Sequence, residues 1–579
     1  MHSTRWVMRD PDPEAARRVA QACGIPEPLG AVLAQRGCGE PEWAQSFLHP
    51  RLRDLADPFA YEGMHSAVER IERALRSGEK VAVFGDYDVD GLTATALLVR
   101  VLRRLGGRVE PFVPHRIEEG YGLTAEALDR CLAEHAPGLI VTVDCGTNAV
   151  DAVERARAAG VDVIVTDHHE PDTRIAAAVA VVNPKHGEPD SSDAPPAGVG
   201  VAFKLCHALL KHRNGGRPEV DLRELLDYVA LGTVADLVPL RGENRILVHA
   251  GLRRLARSKW AGVRALAEAA DLHREREWTC YHIGFVLGPR LNAAGRVGTA
   301  ARALDLLLSG DPEACAEGAR ELERANTERR NMERRIRERA VEQVDAAFDP
   351  DRDYAVLAAG EGWHPGVLGI VASRLCARYR RPAMVIGLDE EGVGRGSGRS
   401  IEGFDLHAAL TACAGPLERF GGHALAAGVT VKAGRLEEFR AAFAEHAATC
   451  LADADLRPVL EIDREASLGD FTPEFRRALQ RLAPFGEANP EPVWMIRGVR
   501  VDGEPRVVGD RHWKFRITDG RNRLNAIAFR MADREIPGGC FDIVGRLRDN
   551  TFRGRTTPQL QVCDFREGEG EGLSGRAET

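Results

Sequence analysis

The segment VAVFGDYDVDG, residues 81–91, constrains the fold of this chain more than any other part of its sequence. A run of apolar residues typical of a buried strand changes abruptly into three aspartates at every second position, Asp86, Asp88 and Asp90, followed by glycine. Carboxylates held so close together repel one another, and the arrangement is tolerable mainly when a cation lies among them. Because hard divalent cations prefer oxygen ligands, the segment indicates a metal site at the end of a strand.

Two further apolar runs end in residues of the same kind. In LIVTVDCG the apolar run is followed by Asp144, and in VDVIVTDHHE it is followed by Asp167, His168 and His169. Continuous Val, Ile and Leu runs are typical of buried parallel strands, so the chain predicts an α/β fold with a parallel sheet. Its acids and imidazoles are expected in one crevice at the carboxyl ends of the strands. Helix-like stretches separate the runs, near residues 91–105, 124–135 and 148–159.

A fourth element, DYVALGTVADLVPL, places Asp236 in an apolar stretch, where an unpaired carboxylate would be costly to bury. Carboxylates and imidazole without cysteine favour magnesium or manganese over a structural zinc. The donors suffice for two ions about 3.5–4 Å apart, the separation used in phosphoryl-ester hydrolysis. Each element alone has an ordinary alternative, such as a turn, a helix cap or a surface histidine pair. The coincidence of all four elements predicts the metal site.

The ordered motifs GDYDVDG, VDCG, VTDHHE and VALGTVADLVPL resemble those of the DHH phosphoesterase superfamily, most closely its branch of single-strand-specific DNA exonucleases. Further motifs extend the resemblance over nearly the whole chain: EEGYGL, GPRLNAAGR, WHPGVLGIVASRL, GSGRSIEGFDL, FGGHALAAG and APFGEANPEP. The resemblance implies a parallel-sheet DHH domain and a smaller α/β DHHA1 domain joined by a long helix, followed by an OB-type β-barrel. It also implies a 5′-to-3′ exonuclease that releases 5′-mononucleotides from single-stranded DNA in repair and recombination.

Carried over residue by residue, the resemblance implies these metal ligands for two Mn²⁺ or Mg²⁺ ions: Asp88, Asp90, Asp144, His168 and Asp236. Asp144 would bridge the two ions. Asp86 is a further candidate ligand, because relatives such as the family II pyrophosphatases have a histidine ligand where this chain has Phe84. His169 either contacts the scissile phosphate or supports the site, and Asp167 would orient an imidazole.

The same resemblance implies a phosphate-binding set. Glycine lets backbone N–H groups approach phosphate closely, and basic side chains beside the glycine-rich loops of the second domain add charge. Arg116, Arg296 and Ser373 would hold a terminal phosphate. The full set of predicted substrate-binding residues is Arg116, Tyr121, Arg290, Asn292, Arg296, Ser373, Arg399, Gly421, Gly422, His423, Lys514, Phe552 and Arg553.

The distribution of charge bears on a nucleic-acid partner more than the formal net charge of −9 does. Residues 493–566 contain 15 Lys and Arg against 9 Asp and Glu, in short strand-like pieces separated by turn residues. About five such strands fit an OB-type barrel, a fold that binds single strands through basic grooves and stacking aromatics. In HWKFRI, Trp513 and Phe515 share one face, and core packing is favoured for them. Lys514, Phe552 and Arg553 are then the candidates for strand contact.

A long helix is predicted from residue 311 to about 347, where Ala, Glu and Arg are dense, with Asp311 as N-cap and Pro312 at the first helical position. Its charge is interpreted as a solvated face rather than as a DNA-binding surface. The predicted domains are an N-terminal helical extension at 1–50, the DHH catalytic domain at 51–310, the connecting helix at 311–350, the DHHA1 substrate-binding domain at 351–452, a connector and OB-fold nucleic-acid-binding domain at 453–566, and a disordered tail at 567–579. We expect no further partner-binding domain.

The remaining sequence features are ordinary. No run of 18 apolar residues and no signal-peptide core occur, so we expect a cytoplasmic protein without membrane association. The twelve cysteines include no C-x-x-C pair, which favours reduced, buried thiols. The expected partners are single-stranded DNA, a single-stranded-DNA-binding protein and a recombination helicase, and the expected state is a monomer.

Three alternative functions stay open at this point. A small-substrate DHH enzyme, such as a nanoRNase or pyrophosphatase, would share the metal motifs but has no evident use for a basic barrel. A catalytically inactive replication scaffold would lose ligands, whereas this chain keeps the whole set. RNA rather than DNA could be the main substrate, because a phosphate-binding cleft need not contact a 2′-hydroxyl.

Overall fold

The computed structural model describes residues 4–116, 118–187, 194–213, 220–272, 277–552 and 555–568, apart from the side chains of residues 552 and 555. The chain forms two compact units. Unit 1 comprises Ala56–Val238 and Gly251–Pro458, and unit 2 comprises Thr4–Leu55, Pro239–Ala250 and Val459–Thr579.

The N-terminal segment consists of one short strand and three helices in unit 2. They are β1 (Arg5–Met8), α1 (Pro13–Cys23), α2 (Glu27–Gln35) and α3 (Pro41–Leu48). Asp12 caps α1 by accepting a hydrogen bond from the Glu14 N–H, and Gly24 ends the helix in the left-handed conformation. The helical extension predicted for this region is therefore present, with a strand before it.

The first half of unit 1 is a parallel sheet covered by helices. Its elements are α4 (Met64–Ser77), β2 (Lys80–Gly85), α5 (Val89–Arg104), β3 (Arg108–Phe112), α6 (Ala125–His135), β4 (Leu139–Val143), α7 (Val150–Ala158), β5 (Asp162–Thr166), β6 (Ala180–Val182), α8 (Gly198–His212) and α9 (Leu226–Ala235). The strand order is β3-β2-β4-β5-β6, and all neighbours are parallel. The three predicted helices are α5, α6 and α7, because apolar strands buried on both faces need a helical crossover to run parallel.

A run of helices lies in sequence between this sheet and the second half of unit 1, and residues 242–250 at its start belong to unit 2. It contains α10 (Gly242–Leu255), α11 (Ala261–Ala269), α12 (Cys280–His282), α13 (Gly288–Val297), α14 (Ala301–Leu308) and α15 (Pro312–Asp345), with a π-helical turn at Ile283–Leu287. Helix α15 begins as predicted, since the Asp311 side chain accepts from the Glu313 N–H and Pro312 occupies the first turn. Its buried residues are spaced three, four or seven positions apart: Cys315, Ala319, Leu322, Asn326, Glu333, Ile336, Ala340 and Val344. One stripe packs inward, and most of the charged residues lie outside it.

The second half of unit 1 is a five-stranded mixed sheet with three helices. Its elements are β7 (Val356–Glu361), α16 (Pro365–Tyr379), β8 (Ala383–Leu388), β9 (Val393–Arg399), α17 (Leu406–Ala412), β10 (Leu417–Gly422), β11 (Ala426–Lys432) and α18 (Leu436–Leu451). The strand order is β10-β11-β9-β8-β7, with only β7 and β8 parallel. Both strands predicted here, in YAVLAAG and PAMVIGL, are present as β7 and β8.

Unit 2 is built on a seven-stranded sheet. Its further elements are β12 (Val459–Ile462), β13 (Arg464–Glu465), α19 (Pro473–Gln480), β14 (Val493–Val501), β15 (Arg506–Val508), β16 (His512–Thr518), β17 (Arg523–Ala528), β18 (Phe541–Phe552) and β19 (Arg555–Glu567). The order is β13-β14-β18-β19-β17-β16-β15, and an additional β14–β16 pairing closes the sheet. The predicted OB-type barrel is confirmed. Phe515 lies in its core and Trp513 packs against that core, as the alternation in HWKFRI predicts.

The N-terminal segment shares the core of this barrel. Leu29, Leu33 and Phe47 lie in the same buried cluster as Trp494 and Phe541. Strand β1 also pairs in parallel with β12. The sequence predicts the helices of this segment but not their partner, because a contact across more than 400 residues leaves no local pattern.

The cysteines and the helices bear on two further features of the chain. All twelve cysteines are free, and seven of them are buried. Among the described helices, none has both the length and the apolar character that a bilayer crossing requires.

Candidate metal centre

The carboxyl ends of three neighbouring strands bring the predicted ligands together. In the sheet, Gly85 of β2 lies opposite Val143 of β4, and Val143 lies opposite Thr166 of β5. The residues that follow these strand ends, Asp86, Asp144 and the segment 167–169, therefore lie side by side. Parallel strands place all their carboxyl ends at one edge, where α/β proteins bind ligands.

His168 lies at the centre of this cluster. Its Nε2 atom is 3.1 Å from Asp144 Oδ1, 3.5 Å from Asp236 Oδ2 and 3.9 Å from Asp90 Oδ2. Three groups of residues could each hold a cation, because the potential ligand atoms within a group all lie within 4.8 Å of one another. The groups are Asp144, His168 and His169; Asp90, His168 and Asp236; and Asp86, Asp88 and Asp144. Asp144 and His168 each belong to two groups, so they connect the three groups into one cluster.

Two aspartates are held by backbone N–H groups at helix N-termini. Asp88 caps α5, because its Oδ1 atom accepts from the N–H groups of Asp90 and Gly91 at 2.8 and 3.1 Å. Asp90 accepts from the Gly198 N–H at 2.6 Å and from the Val199 N–H at 2.9 Å, both at the start of α8. Each Asp90 oxygen keeps a second lone pair that could face a cation.

Two glycines that the motifs did not single out make room for these carboxylates. A methyl group on Gly198 would lie 2.6 Å from Asp144 Oδ1, and one on Gly232 would lie 2.6 Å from Asp90 Oδ1. Both distances are shorter than any ordinary contact, so helices α8 and α9 can approach the cluster only with glycine at these positions. The signal available in the sequence was a glycine within the apolar runs AGVGVAF and VALGTVAD.

Buried polar atoms without hydrogen-bond partners show that the cluster fits a cation. Asp86 Oδ1, Asp144 Oδ1 and His168 Nε2 are buried and have no such partner. Buried polar atoms are normally satisfied, and an unsatisfied set calls for a specific explanation. Oxygen and imidazole donors of this kind suit Mg²⁺ or Mn²⁺.

The protonation of the cluster follows from burial. Burial and the Asp88 charge raise the pKa of Asp86 to about 8 and that of Asp236 to about 7. The pKa values of Asp90 and Asp144 also rise, by burial and then by the neighbouring carboxylates. Burial, together with His169, lowers the pKa of His168 to about 3, so its imidazole is neutral and its lone pair is available to a metal.

We expect the metal-free protein to lose stability as pH rises, and divalent cation to restore it. An unfolded aspartate has a pKa of about 3.9. Between about pH 4 and 8 the folded state therefore holds protons that the unfolded state has released, and the free energy of unfolding falls with increasing pH. A cation replaces these protons, so its stabilising effect grows over the same range.

Thermal unfolding at pH 6, 7 and 8, with and without Mn²⁺, measures this effect. The metal-induced rise in Tm should increase at each step, and the metal-free Tm should decrease. A metal-induced rise that is the same at all three pH values would contradict the raised carboxyl pKa values.

Asp167 supports the cluster, as predicted, instead of joining it. Its Oδ1 atom lies 2.7 Å from His169 Nδ1 and accepts from the His168 N–H, and its Oδ2 atom accepts from the Thr147 N–H. Burial alone would raise the pKa of Asp167, but the His169 hydrogen bond and charge hold it below its usual range. The same pair raises the pKa of His169 against the effect of burial.

Tyr121 closes one side of the site. Its Oη atom donates to the Asp144 backbone carbonyl at 3.2 Å and lies 2.9 Å from His169 Nε2. Burial of the hydroxyl, followed by the charges of Asp144 and Asp86, raises its pKa, so it stays protonated. A phosphate that reached His169 would also meet this hydroxyl.

Three of the predicted phosphate-binding arginines affect one another through their charges. The Arg116 guanidinium lies 4.7 Å from the centre of the Tyr87 ring. Tyr87 is the residue between Asp86 and Asp88 in the sequence. Burial, followed by Arg116 and Arg329, lowers the pKa of Arg296 to about 10, and burial with Arg116 lowers that of Arg399. The three residues are called the arginine cluster: Arg116, Arg296 and Arg399. Because their positive charges repel one another, a bound anion would stabilise the cluster.

Helix α16 carries the other part of this set. Arg296 Nη1 donates to the Gly366 carbonyl at 3.0 Å, and Ser373 Oγ donates to the Gly369 carbonyl at 3.0 Å. A methyl group on Gly369 would lie 2.9 Å from Arg399 Nη2. Ser373 therefore lies one helical turn from the residue that Arg399 contacts.

The remaining predicted substrate-binding residues are dispersed. Arg290 forms an ion pair with Glu323 of α15, and Asn292 is half-buried on α13. Gly421 and Gly422 are the last residues of β10, and His423 begins the turn to β11; all three are exposed. Lys514 is exposed on β16. The Phe552 side chain and Arg553 lie outside the described residues.

Family models match three parts of this chain. The model of the DHH family, N-terminal domain, matches residues 80–233, the DHHA1 domain matches 351–449, and the RecJ OB domain matches 462–564. The chain is also 38% identical over 567 residues to the single-stranded-DNA-specific exonuclease RecJ of Bacillus subtilis (strain 168), covering 97% of this chain and 70% of that protein. The chain belongs to the RecJ family.

Solved structures of RecJ agree with this assignment and with the metal chemistry. The crystal structure of RecJ from Thermus thermophilus in complex with Mn²⁺ superposes with a TM-score of 0.84 at 33% identity, covering 98% of this chain and 80% of that one. The Mg²⁺ complex of the same RecJ superposes with a TM-score of 0.78 at 32% identity, covering 98% and 79%. The predicted resemblance and fold class are confirmed, and membership of the RecJ family makes the chain a metal-dependent nuclease.

Proposed function

We propose that this RecJ-family chain is a single-stranded-DNA-specific exonuclease that works from the 5′ end and releases 5′-mononucleotides, with two divalent ions, in DNA repair and recombination. The observation that supports the proposal best is the set of overlapping ligand groups that share Asp144 and His168. The name of the Bacillus relative supplies the substrate class. The direction rests on the family resemblance, and the number of ions rests on the overlapping ligand groups and on the same resemblance.

The bound ions and the side chains around them would have different roles in hydrolysis. Two bound divalent ions would supply an activated water and stabilise charge on the phosphate. His169, whose pKa is raised by its hydrogen bond to Asp167 against the effect of burial, would donate a hydrogen bond to a phosphate oxygen, and the Tyr121 hydroxyl beside it would hold the same group. Asp88 and Asp90, fixed by helix N-termini, would keep the ligand geometry rigid.

The arginine cluster gives a physical reason for selecting a strand end. A terminal phosphate carries nearly two negative charges at pH 7, whereas an internal phosphodiester carries one. Arg296 stays protonated at neutral pH despite its lowered pKa of about 10. Three guanidinium groups whose charges act on one another would therefore favour the terminal group. Arg116 lies over the ring of Tyr87, the residue between Asp86 and Asp88, so a phosphate that it held would lie near the proposed metal centre.

Replacing Arg399 with methionine should weaken recognition of the 5′-phosphate. One charge-assisted hydrogen bond contributes about 1.5–3 kcal/mol, so KM for a 5′-phosphorylated single strand should rise about 10–100-fold with a smaller change in kcat. A 5′-hydroxyl strand should show little further loss in the variant, because the group that Arg399 would bind is already missing. Arg395→Met, an exposed position on the same strand β9, is the matched control. Equal losses on both substrates would place Arg399 outside the phosphate site.

Strand digestion tests the proposed function itself. A 5′-phosphorylated single strand labelled at the 3′ end would be digested with Mn²⁺ beside the matched duplex, a dinucleotide and RNA. We expect stepwise mononucleotide release, with the 3′ label retained until last, from single-stranded DNA alone. Activity confined to the dinucleotide would favour a small-substrate enzyme. Equal digestion of RNA would contradict the proposed specificity for DNA. Tight strand binding without hydrolysis would favour a scaffold.

Other expectations remain predictions. They concern the domain boundaries, the cytoplasmic location, the monomeric state, and work beside a single-stranded-DNA-binding protein and a recombination helicase. Lys514, exposed on the barrel strand β16, is proposed to contact the strand backbone.

A further inference from the structure

The segment between β3 and α6 carries two of the predicted substrate-binding residues. Arg116 belongs to the arginine cluster, and the Tyr121 hydroxyl donates to the Asp144 backbone carbonyl. The described residues of this segment, 113–124 apart from 117, form neither strand nor helix. Because no regular hydrogen-bond ladder fixes this backbone, the position of the two side chains depends on specific contacts.

Glu119 closes a turn around Arg116. The Glu119 N–H donates to the His115 carbonyl at 2.8 Å, and Glu119 Oε2 accepts from the His115 N–H at 2.6 Å. In the sequence, Glu119 follows Arg116 by three residues and precedes Tyr121 by two. The backbone on both sides of Arg116 is therefore tied to one carboxylate residue.

Arg130 of α6 fastens this turn to regular structure. Its Nε and Nη2 atoms donate to the two carboxylate oxygens of Glu119 at 2.7 and 2.9 Å, and Nη2 also donates to the Val113 carbonyl at 3.0 Å. The guanidinium lies 4.2 Å from the centre of the ring of Phe112, the buried last residue of β3. The side chains of Arg130 and Glu119 are 28% and 10% exposed, so the pair is largely shielded from solvent.

The charges of the pair suit this geometry. The Arg130 hydrogen bond, against the effect of burial, holds the pKa of Glu119 below its usual range, and the Glu119 hydrogen bond raises the pKa of Arg130. An ionised carboxylate offers two equivalent oxygens to the planar guanidinium, whereas an amide offers one. A lysine could not replace the guanidinium, because a single ammonium cannot match both oxygens and the Val113 carbonyl in the same way.

We propose that Glu119 and Arg130 are positioning residues for phosphate binding: together they hold the turn that presents Arg116 and Tyr121 to the strand end. In this role neither Glu119 nor Arg130 touches the substrate. All the contacts involved lie within unit 1. The proposal rests on the proposed function, in which Arg116 binds the 5′-phosphate.

Kinetics on two matched single strands test the proposal in the full chain. One strand carries a 5′-phosphate and the other a 5′-hydroxyl, and the phosphate preference is the ratio of their kcat/KM values with Mn²⁺. The variants are Glu119→Gln, Arg130→Lys and Arg116→Met. Asp129→Asn is the matched control, because it breaks another two-oxygen pair of α6, that with Arg155 of α7. Calorimetric Mn²⁺ titration and thermal unfolding complete the set.

We expect Glu119→Gln and Arg130→Lys each to raise KM for the 5′-phosphorylated strand about 10-fold or more, with a smaller change for the 5′-hydroxyl strand. Mn²⁺ affinity should be unchanged, because neither residue contacts a candidate ligand side chain. Asp129→Asn should keep the wild-type phosphate preference. Since Glu119 acts through Arg116, adding Glu119→Gln to Arg116→Met should lower that preference no further.

Three outcomes would contradict the proposal in different ways. A wild-type phosphate preference in Glu119→Gln and Arg130→Lys, together with a loss in Arg116→Met, would overturn the positioning role and leave the phosphate site standing. Equal losses on both strands with a lower Tm would mean that the pair only stabilises the fold. A wild-type preference in Arg116→Met would overturn the proposed phosphate site, and this proposal with it.

Discussion

Asp144→Asn should reduce hydrolysis of single-stranded DNA by about 10³-fold or more. Asp144 is common to two of the three ligand groups, and its Oδ1 atom lies 3.1 Å from His168 Nε2. An amide keeps the size of the carboxylate but not its charge. Both ligand groups that contain Asp144 would therefore lose a charged donor. Activated water and charge stabilisation at the phosphate would be lost together.

The same substitution should leave the metal-free protein at least as stable as the wild type. The ionised Asp144 is opposed by burial and by the charges of Asp90, Asp88 and Asp86, and the amide removes that opposition. Thermal unfolding at pH 8 should therefore show an unchanged or higher Tm without Mn²⁺ and a smaller rise on adding it. Asp151→Asn, an exposed residue in the first turn of α7, is the control. Retention of more than a tenth of the activity would contradict the role of Asp144 as a metal ligand.

Gly198→Ala should damage the metal centre although no ligand is changed. The added methyl group would lie 2.6 Å from Asp144 Oδ1, and the Gly198 N–H already donates to Asp90 at 2.6 Å. Either the carboxylate or helix α8 must move, and overpacking of this kind costs about 1–3 kcal/mol. Alanine is otherwise the better helix former, so any loss comes from the contact and not from helix propensity.

We expect Gly198→Ala to lower Mn²⁺ affinity about 10-fold or more, and activity at least in proportion. Calorimetric Mn²⁺ titration and single-turnover digestion would measure the two effects separately. Gly310→Ala is the matched control, because a methyl group there would meet no atom within 4 Å. Unchanged Mn²⁺ binding in Gly198→Ala would show that the carboxylates can move aside at little cost.

The candidate ligands, which the structure brings together, could be recognised in the sequence because their chemistry is local. Asp86, Asp144 and Asp236 stand at the ends of, or within, apolar runs, where a carboxylate is costly unless a cation compensates it. The parallel arrangement of those runs follows from their continuous apolar character, and it implies that the strand ends share one edge. The supporting role predicted for Asp167 agrees with its hydrogen bond to His169.

The supporting structure around the ligands could not be predicted in the same way. Asp90 is held by the backbone N–H groups of Gly198 and Val199, more than 100 residues away, and a backbone donor has no residue type by which to recognise it. The predicted set also included Arg290, which the structure places in an ion pair with Glu323 on α15. An arginine in a motif has the same sequence signature whether it binds substrate or a neighbouring helix.

The fold class and the candidate metal-binding residues can be inferred from the sequence, because strand periodicity and the cost of buried charge act over a few residues, and the ordered motifs add the family resemblance. The sequence does not indicate that the N-terminal helices complete the barrel core, or that Pro239–Ala250, with Arg245 bound to carbonyls such as that of Ala483, belongs to unit 2. These depend on which apolar faces and carbonyls meet after the chain has folded. That choice is made by packing over hundreds of residues, which no local pattern records.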